Sequence, residues 1–172
     1  AVESCSDLLE NFGGHMYAAG LTMKEENVEA FTKRFNDYVE ANIDPSILVP
    51  QVDIDSELLF SEITDDFHRQ LNAFQPFGPG NTAPVFMTSG ATNHRGDAKL
   101  VGAECDHLRM DLMQREKPHT TIPAIAFQQP THYEWVRAGK PVSVCYQIVE
   151  NHYRGSVTTQ LRIKDIKRNT SK

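Results

Sequence analysis

The run Gln75-Pro76-Phe77-Gly78-Pro79-Gly80-Asn81 constrains this chain more than any other stretch. Two prolines lack a backbone donor and fix φ, and two glycines leave the intervening backbone unrestrained. Neither a helix nor a strand continues through such a sequence. It separates two textures, and the domain boundary is placed near residues 76–84.

Before the break the apolar residues recur at helical spacing. Val28, Phe31, Phe35, Tyr38 and Val39 predict a helix within Lys24 to Asn42. Glu25 and Glu26 sit in its first turn, where the helix dipole favours acids. Asp44-Pro45 ends it. A second helix is predicted after Thr64, its N-cap, with Phe67, Leu71 and Phe74 as the apolar stripe. Val49 to Leu59 reads as a strand or extended linker. The segment His15 to Gly20 predicts one or two helical turns, and Gly20 to Met23 a short buried strand. After the break, six short apolar runs follow: Val85 to Ala91, Ala98 to Cys105, Leu108 to Gln114, Ile122 to Phe127, Val142 to Val149 and Val157 to Ile166. Turns at Gly96-Asp97, Lys117-Pro118 and Arg154-Gly155 separate them. Five or six strands at this spacing predict a small barrel or sandwich.

Charge is divided in the same way. Residues 1–80 carry 4 Lys+Arg and 15 Asp+Glu, whereas residues 81–172 carry 13 Lys+Arg and 8 Asp+Glu. The second half is the one suited to a phosphate backbone. No apolar run approaches the ~20 residues that span a membrane, and no secretory leader is visible. Cys5, Cys105 and Cys145 are widely spaced, with no C-x-x-C pair, which suits reduced core thiols in a cytoplasmic protein. The opening at Ala1 is read as that of a fragment.

The strongest local motif is Gly13-Gly14-His15 leading into Ala18-Ala19-Gly20. Two glycines let backbone N–H groups approach a ligand, and a helix starting there would favour an anion. A histidine adds a donor to phosphate. As a bare pattern, a glycine turn beside an incidental histidine is the plainer reading.

Four segments in order change that weighing. Ser6 to Thr22 resembles the GGH-x-x-AAGL-T segment of RecJ-type DHH-family phosphoesterases. Pro76 to Phe86 resembles their PFG-x-GN-x-x-PVF link, and His107-Leu108-Arg109-Met110-Asp111-Leu112 their HLK-x-x-L strand. Asn151-His152-Tyr153-Arg154-Gly155 through Gln160 to Ile166 is similar to their last hairpin. The resemblance implies an α+β chain. A partial α/β DHH-associated domain with a connecting helix would occupy residues 1–75, and an all-β OB-like barrel residues 76–172. It further implies the substrate-binding C-terminal region of a single-stranded-DNA 5′–3′ exonuclease of recombination and repair. Gly13, Gly14 and His15 would meet a substrate phosphate. Mn or Mg would serve the parent enzyme in a DHH catalytic domain joined in cis. No Asp-His-His triplet occurs here, so no catalytic residue, metal ligand or cofactor is assigned to this chain, which is expected to be inactive alone. Asp106-His107 and the Asp65-Asp66-His68 group read as structural.

Barrels of this kind stack bases on exposed rings and follow the backbone with cations. Arg95, Lys99, Arg109, Tyr153, Arg154, Arg162 and Lys164 are the candidate contacts for single-stranded DNA. Arg162 and Lys164 share parity and so one face. Phe86, Phe127 and Tyr146, in apolar runs, are assigned to the core. His132, Tyr133 and Trp135 suit a lid or a DNA contact. The rival from another class is a stand-alone OB-type binding or protein-interaction module without nuclease ancestry, which has no reason to carry the GGH segment.

Overall fold

A computed structural model describes residues 1–15, 17–115 and 117–169, with the side chains of all but 117–119. It is mixed α+β with mostly sheet, and it divides into two compact units, Ala1–Gln51 and Val52–Lys172.

The first unit opens with a 3-10 turn, Glu3–Leu8, then a two-stranded antiparallel hairpin of β1 (Asn11–His15) and β2 (Ala18–Thr22). Where helical turns were expected over His15 to Gly20, His15 ends β1, Tyr17 lies in a turn and Ala18 to Gly20 are strand. Six residues are too few to nucleate a helix alone, and their bordering glycines disfavour one. The strand expected over Gly20 to Met23 is present in part, but it is exposed rather than buried. Gly14 faces Ala19 across the hairpin, and a Cβ there would clash with the Ala18 carbonyl and lie 2.6 Å from the Ala19 Cα. Helix α1 (Val28–Asn42) follows the 3-10 turn Glu25–Asn27, as the periodicity predicts. It turns Phe31, Phe35 and Val39 inward only to half-burial. The Asp44 carboxylate accepts from the Ser46 N–H at 2.9 Å to start the 3-10 turn Pro45–Leu48. Cys5 is the one fully buried side chain among the described residues of this unit.

The second unit begins with β3 (Ser56–Glu57) and a 3-10 turn, Phe60–Glu62, before α2 (Asp65–Asn72). Thr64 caps α2 by accepting from the Phe67 N–H at 3.1 Å, as expected. Phe67 and Leu71 pack on the barrel core, whereas Phe74, the third residue of the expected stripe, is exposed. The connecting helix thus belongs to the second unit, and the boundary read near 76–84 lies inside that unit. The redrawn division also alters the charge: residues 52–172 carry 14 Lys+Arg and 14 Asp+Glu. Positive charge is a property of particular strands, not of the whole unit.

The remaining strands are β4 (Phe86–Asn93), β5 (Lys99–Val101), β6 (His107–Gln114), β7 (Lys117–Ala126), β8 (Val142–Tyr153) and β9 (Ser156–Arg168). Lys117 already lies in β7, so the turn expected at Lys117-Pro118 is strand instead. The order β3-β4-β8-β9-β7-β6-β5, with a further β4–β6 pairing, closes a ring of five strands: β4, β8, β9, β7 and β6. One pair, β7–β9, is parallel, and the others in the ring are antiparallel. A ring leaves few open edges. It closes because β4 bends at a bulge between Thr88 and Ala91, where Gly90 takes φ +69°. Helix α3 (Tyr133–Arg137), between β7 and β8, drives Val136 into the core. Strict alternation on β6 buries Leu108, Met110 and Leu112 and turns His107, Arg109 and Asp111 outward.

Candidate nucleic-acid interface

The register of four strands assembles a row that their separation in sequence conceals. Lys99 on β5 lies opposite Arg109 on β6, Arg109 opposite Ile125 on β7, and Ile125 opposite Arg162 on β9. Gln147 on β8 faces Arg162 on the far side. With strands about 4.8 Å apart, Lys99 and Arg162 stand about 14 Å from each other across the sheet. Lys99, Arg109 and Arg162 are all exposed, and none has a carboxylate within ion-pair distance among the described residues. Lys164 joins them, sharing the outward parity of Arg162.

Between these cations the central strand is apolar outward. Pro123 and Ile125 are half-buried, and Phe127, just past the end of β7, is 47% exposed. Phe127 is therefore not core, although Phe86 and Tyr146 are. The alternation of buried Ile122, Ala124 and Ala126 with the other residues carried this signal, but an unbroken apolar run hides its period. The Arg162 guanidinium lies 6.0 Å from the Phe127 ring centroid. His107, read from the sequence as structural together with Asp106, forms a T-shaped pair with the ring at 4.9 Å. Its Nδ1 accepts from the Gln128 N–H at 3.3 Å and lies 3.1 Å from Asp106 Oδ1.

One end of the row is acidic. A small cavity of about 80 Å³ is lined by Asp97, Lys99, Arg109, Met110 and Asp111. Burial, and then the charge of Asp97, hold the Asp111 carboxyl above its ordinary range. With its side-chain amide turned so that the nitrogen faces the surrounding acceptors, Asn93, 6% exposed, donates to Asp97 Oδ1 at 2.9 Å and to the Asp111 carbonyl at 3.2 Å, tying the two together.

The other predicted contacts lie elsewhere. Arg95 occupies the turn between β4 and β5 with φ +52°. Tyr153 and Arg154 are at the tip of the β8–β9 hairpin, the guanidinium 5.2 Å from the ring. Ser156, opposite Tyr153, is six residues along β9 from Arg162, or about 20 Å at strand rise. Trp135 and Tyr133 pack partly on the core, with Lys140 and Arg168 over the Trp135 ring at 4.5 and 5.6 Å and Arg137 over the Tyr133 ring at 5.6 Å. Gly13, Gly14 and His15 are exposed on β1 in the first unit, with the Tyr17 N–H donating to His15 Nδ1 at 3.3 Å. No helix begins at this segment, so the argument from a helix N-terminus falls away. Asp66 pairs with Arg69 at 2.7 Å within α2. Among the described residues no three His, Cys, Asp or Glu converge to hold a metal ion, and no helix is long and apolar enough to cross a membrane.

The family model described as the RecJ OB domain matches residues 54–165. The single-stranded-DNA-specific exonuclease RecJ of Bacillus subtilis is 26% identical over 96% of this chain and 20% of its own length. The RecJ of Salmonella typhimurium is 30% identical over 93% of this chain and 27% of its own. The crystal structure of RecJ from Thermus thermophilus in complex with Mg2+ superposes with a TM-score of 0.71 at 26% identity, covering 99% of this chain and 25% of that one. The chain thus spans about a quarter or less of the relatives it resembles.

Proposed function

Because the chain belongs to the RecJ family, with its OB domain over residues 54–165, we propose that it is the single-stranded-DNA-binding C-terminal region of a 5′–3′ exonuclease of recombination and repair. The observation that carries this reading is the row Lys99–Arg109–Ile125–Arg162. Three cations in line across a barrel face, without an ion-pair partner among the described residues, suit a phosphate backbone, and the apolar residues between them suit bases. A row of this size supports weak, salt-dependent binding, in the micromolar range at physiological salt.

Residues 1–51 are assigned to the end of a DHH-associated domain. Their thin core, with Phe12, Tyr17, Leu21, Ile47 and Leu48 exposed, suits a piece that packs against more protein. Gly13, Gly14 and His15 would then meet a substrate phosphate through an exposed strand, not a helix end. Mn or Mg, which would activate water at a phosphodiester, belongs in this reading to a DHH catalytic domain. The rival reading, a free-standing OB module, leaves residues 1–51 without a role, and matches over 93–96% of the chain speak against it.

The test is a fluorescence-anisotropy titration of oligo-dT at several salt concentrations with the whole chain. Arg109→Gln and Arg162→Gln are each expected to weaken binding and to reduce the magnitude of the log–log salt slope by about 0.7. Unchanged affinity and slope in both would reject the row as the DNA track. His15→Ala in the full-length enzyme is expected to lower turnover with the fold intact; wild-type kinetics would return His15 to a structural role.

A further inference from the structure

An exposed aromatic is not by itself a site, since Phe74 and Tyr153 are exposed further, at 68% and 63%. Phe127 differs in its setting. It stands on the outer face of the barrel, beside Arg162 and two residues beyond Ile125 in the row that links Arg162 to Arg109 and Lys99. Arg162 thus adjoins an exposed aromatic ring, with Arg109 and Lys99 further along the same row.

Its ring is also held. Gln128 takes φ +56°, turning the chain away directly after Phe127. The Gln128 N–H donates to His107 Nδ1, and the His107 ring packs edge-on against Phe127 at 75°. Phe127 stays 47% exposed in this setting, and the guanidinium of Arg162 lies over its ring within cation–π range. An exposed aromatic ring held between His107 and the Arg162 guanidinium matches a flat base joined to a phosphate.

We propose that Phe127 is a nucleobase-stacking seat, with Arg162 beside the stacked base, Arg109 and Lys99 taking the flanking phosphates, and His107 and Gln128 positioning the ring. The proposal rests on the reading that this face binds single-stranded DNA, and it adds that the bases, not the backbone alone, are bound. The seat accepts any base, because every base has a π-face.

The test compares oligo-dT with an abasic oligonucleotide of the same length, by anisotropy, for the whole chain and for Phe127→Ala, Phe127→Leu and Phe127→Trp. Wild type is expected to bind oligo-dT more tightly than the abasic strand. Phe127→Ala is expected to weaken oligo-dT binding about 5- to 150-fold and to remove the preference, with the salt slope unchanged. Phe127→Leu keeps the apolar bulk without the π-face and is expected to fail likewise, whereas Phe127→Trp is expected to retain binding. Thermal melting checks that each variant folds, which the exposure of Phe127 favours. Equal wild-type affinity for the two strands, or wild-type oligo-dT binding by Phe127→Ala or Phe127→Leu, overturns the seat and leaves the phosphate track standing. Absence of binding to either strand by wild type overturns both readings.

Discussion

The Tyr146 hydroxyl lies 2.8 Å from that of Thr88, which itself donates to the Leu58 carbonyl at 2.7 Å. With the Thr88 proton committed to Leu58, Tyr146 donates to Thr88, and the chain of bonds ties β8 to β4 and to the segment after β3. Both side chains have no solvent exposure, and burial pushes the Tyr146 phenol up to about 12. Tyr146→Phe removes one donor and leaves Thr88 satisfied, so it is expected to cost about 0.5–1.5 kcal/mol in urea unfolding. Thr88→Val orphans both the phenol and the carbonyl and is expected to cost more, about 1–3 kcal/mol. The reverse order would show that the network is not wired this way.

Thr64 offers a local test of how α2 is joined to the barrel. Its hydroxyl satisfies the Phe67 N–H at the helix start, and Phe67 packs edge-on against Phe86 at 5.7 Å. Thr64→Ala is expected to lower stability by about 1 kcal/mol, seen as a shift of the main unfolding transition. A separate, earlier transition of α2 alone would contradict its place in the core.

Truncation distinguishes the two possible boundaries. Phe60 is 1% exposed and its N–H donates to Gln114 Oε1 at 2.8 Å. A chain of residues 52–172 keeps these contacts and is expected to melt cooperatively and to bind oligo-dT at least as well as the whole chain. A chain of residues 76–172 loses Phe60 and α2 and is expected to lose its cooperative melt. Equal melting of the two would restore the boundary read from composition.

The Asp97–Asp111 pair predicts a pH dependence. A carboxyl whose folded pKa stands above its unfolded value binds its proton more tightly in the folded state. The resulting stability is present below the ordinary value near 3.8 and lost as pH rises through the raised folded value. Asp111→Asn is therefore expected to stabilise the protein most at neutral pH, with the gain shrinking as pH falls toward 3.8. Urea titrations of both proteins across that range measure it, and a gain that is flat with pH would assign it to another cause.

Local chemistry was legible from the sequence because its causes are short-range. The spacing of Phe31, Phe35 and Val39 predicts α1, the Thr64 hydroxyl predicts the start of α2, and the short run Leu108 to Gln114 predicts β6. Each depends on residues within a turn or two of one another. The tertiary structure alone decided what depends on distant pairings. Whether Gly13-Gly14-His15 enters a helix or a hairpin turned on its register with Gly20, Ala19 and Ala18. The allegiance of α2 turned on the core that Phe67 and Leu71 meet. The row from Lys99 to Arg162 exists only because β5, β6, β7 and β9 align in one register. A shift of one residue in β5, β6 or β9 would turn its cation toward the core, because strand side chains alternate between faces.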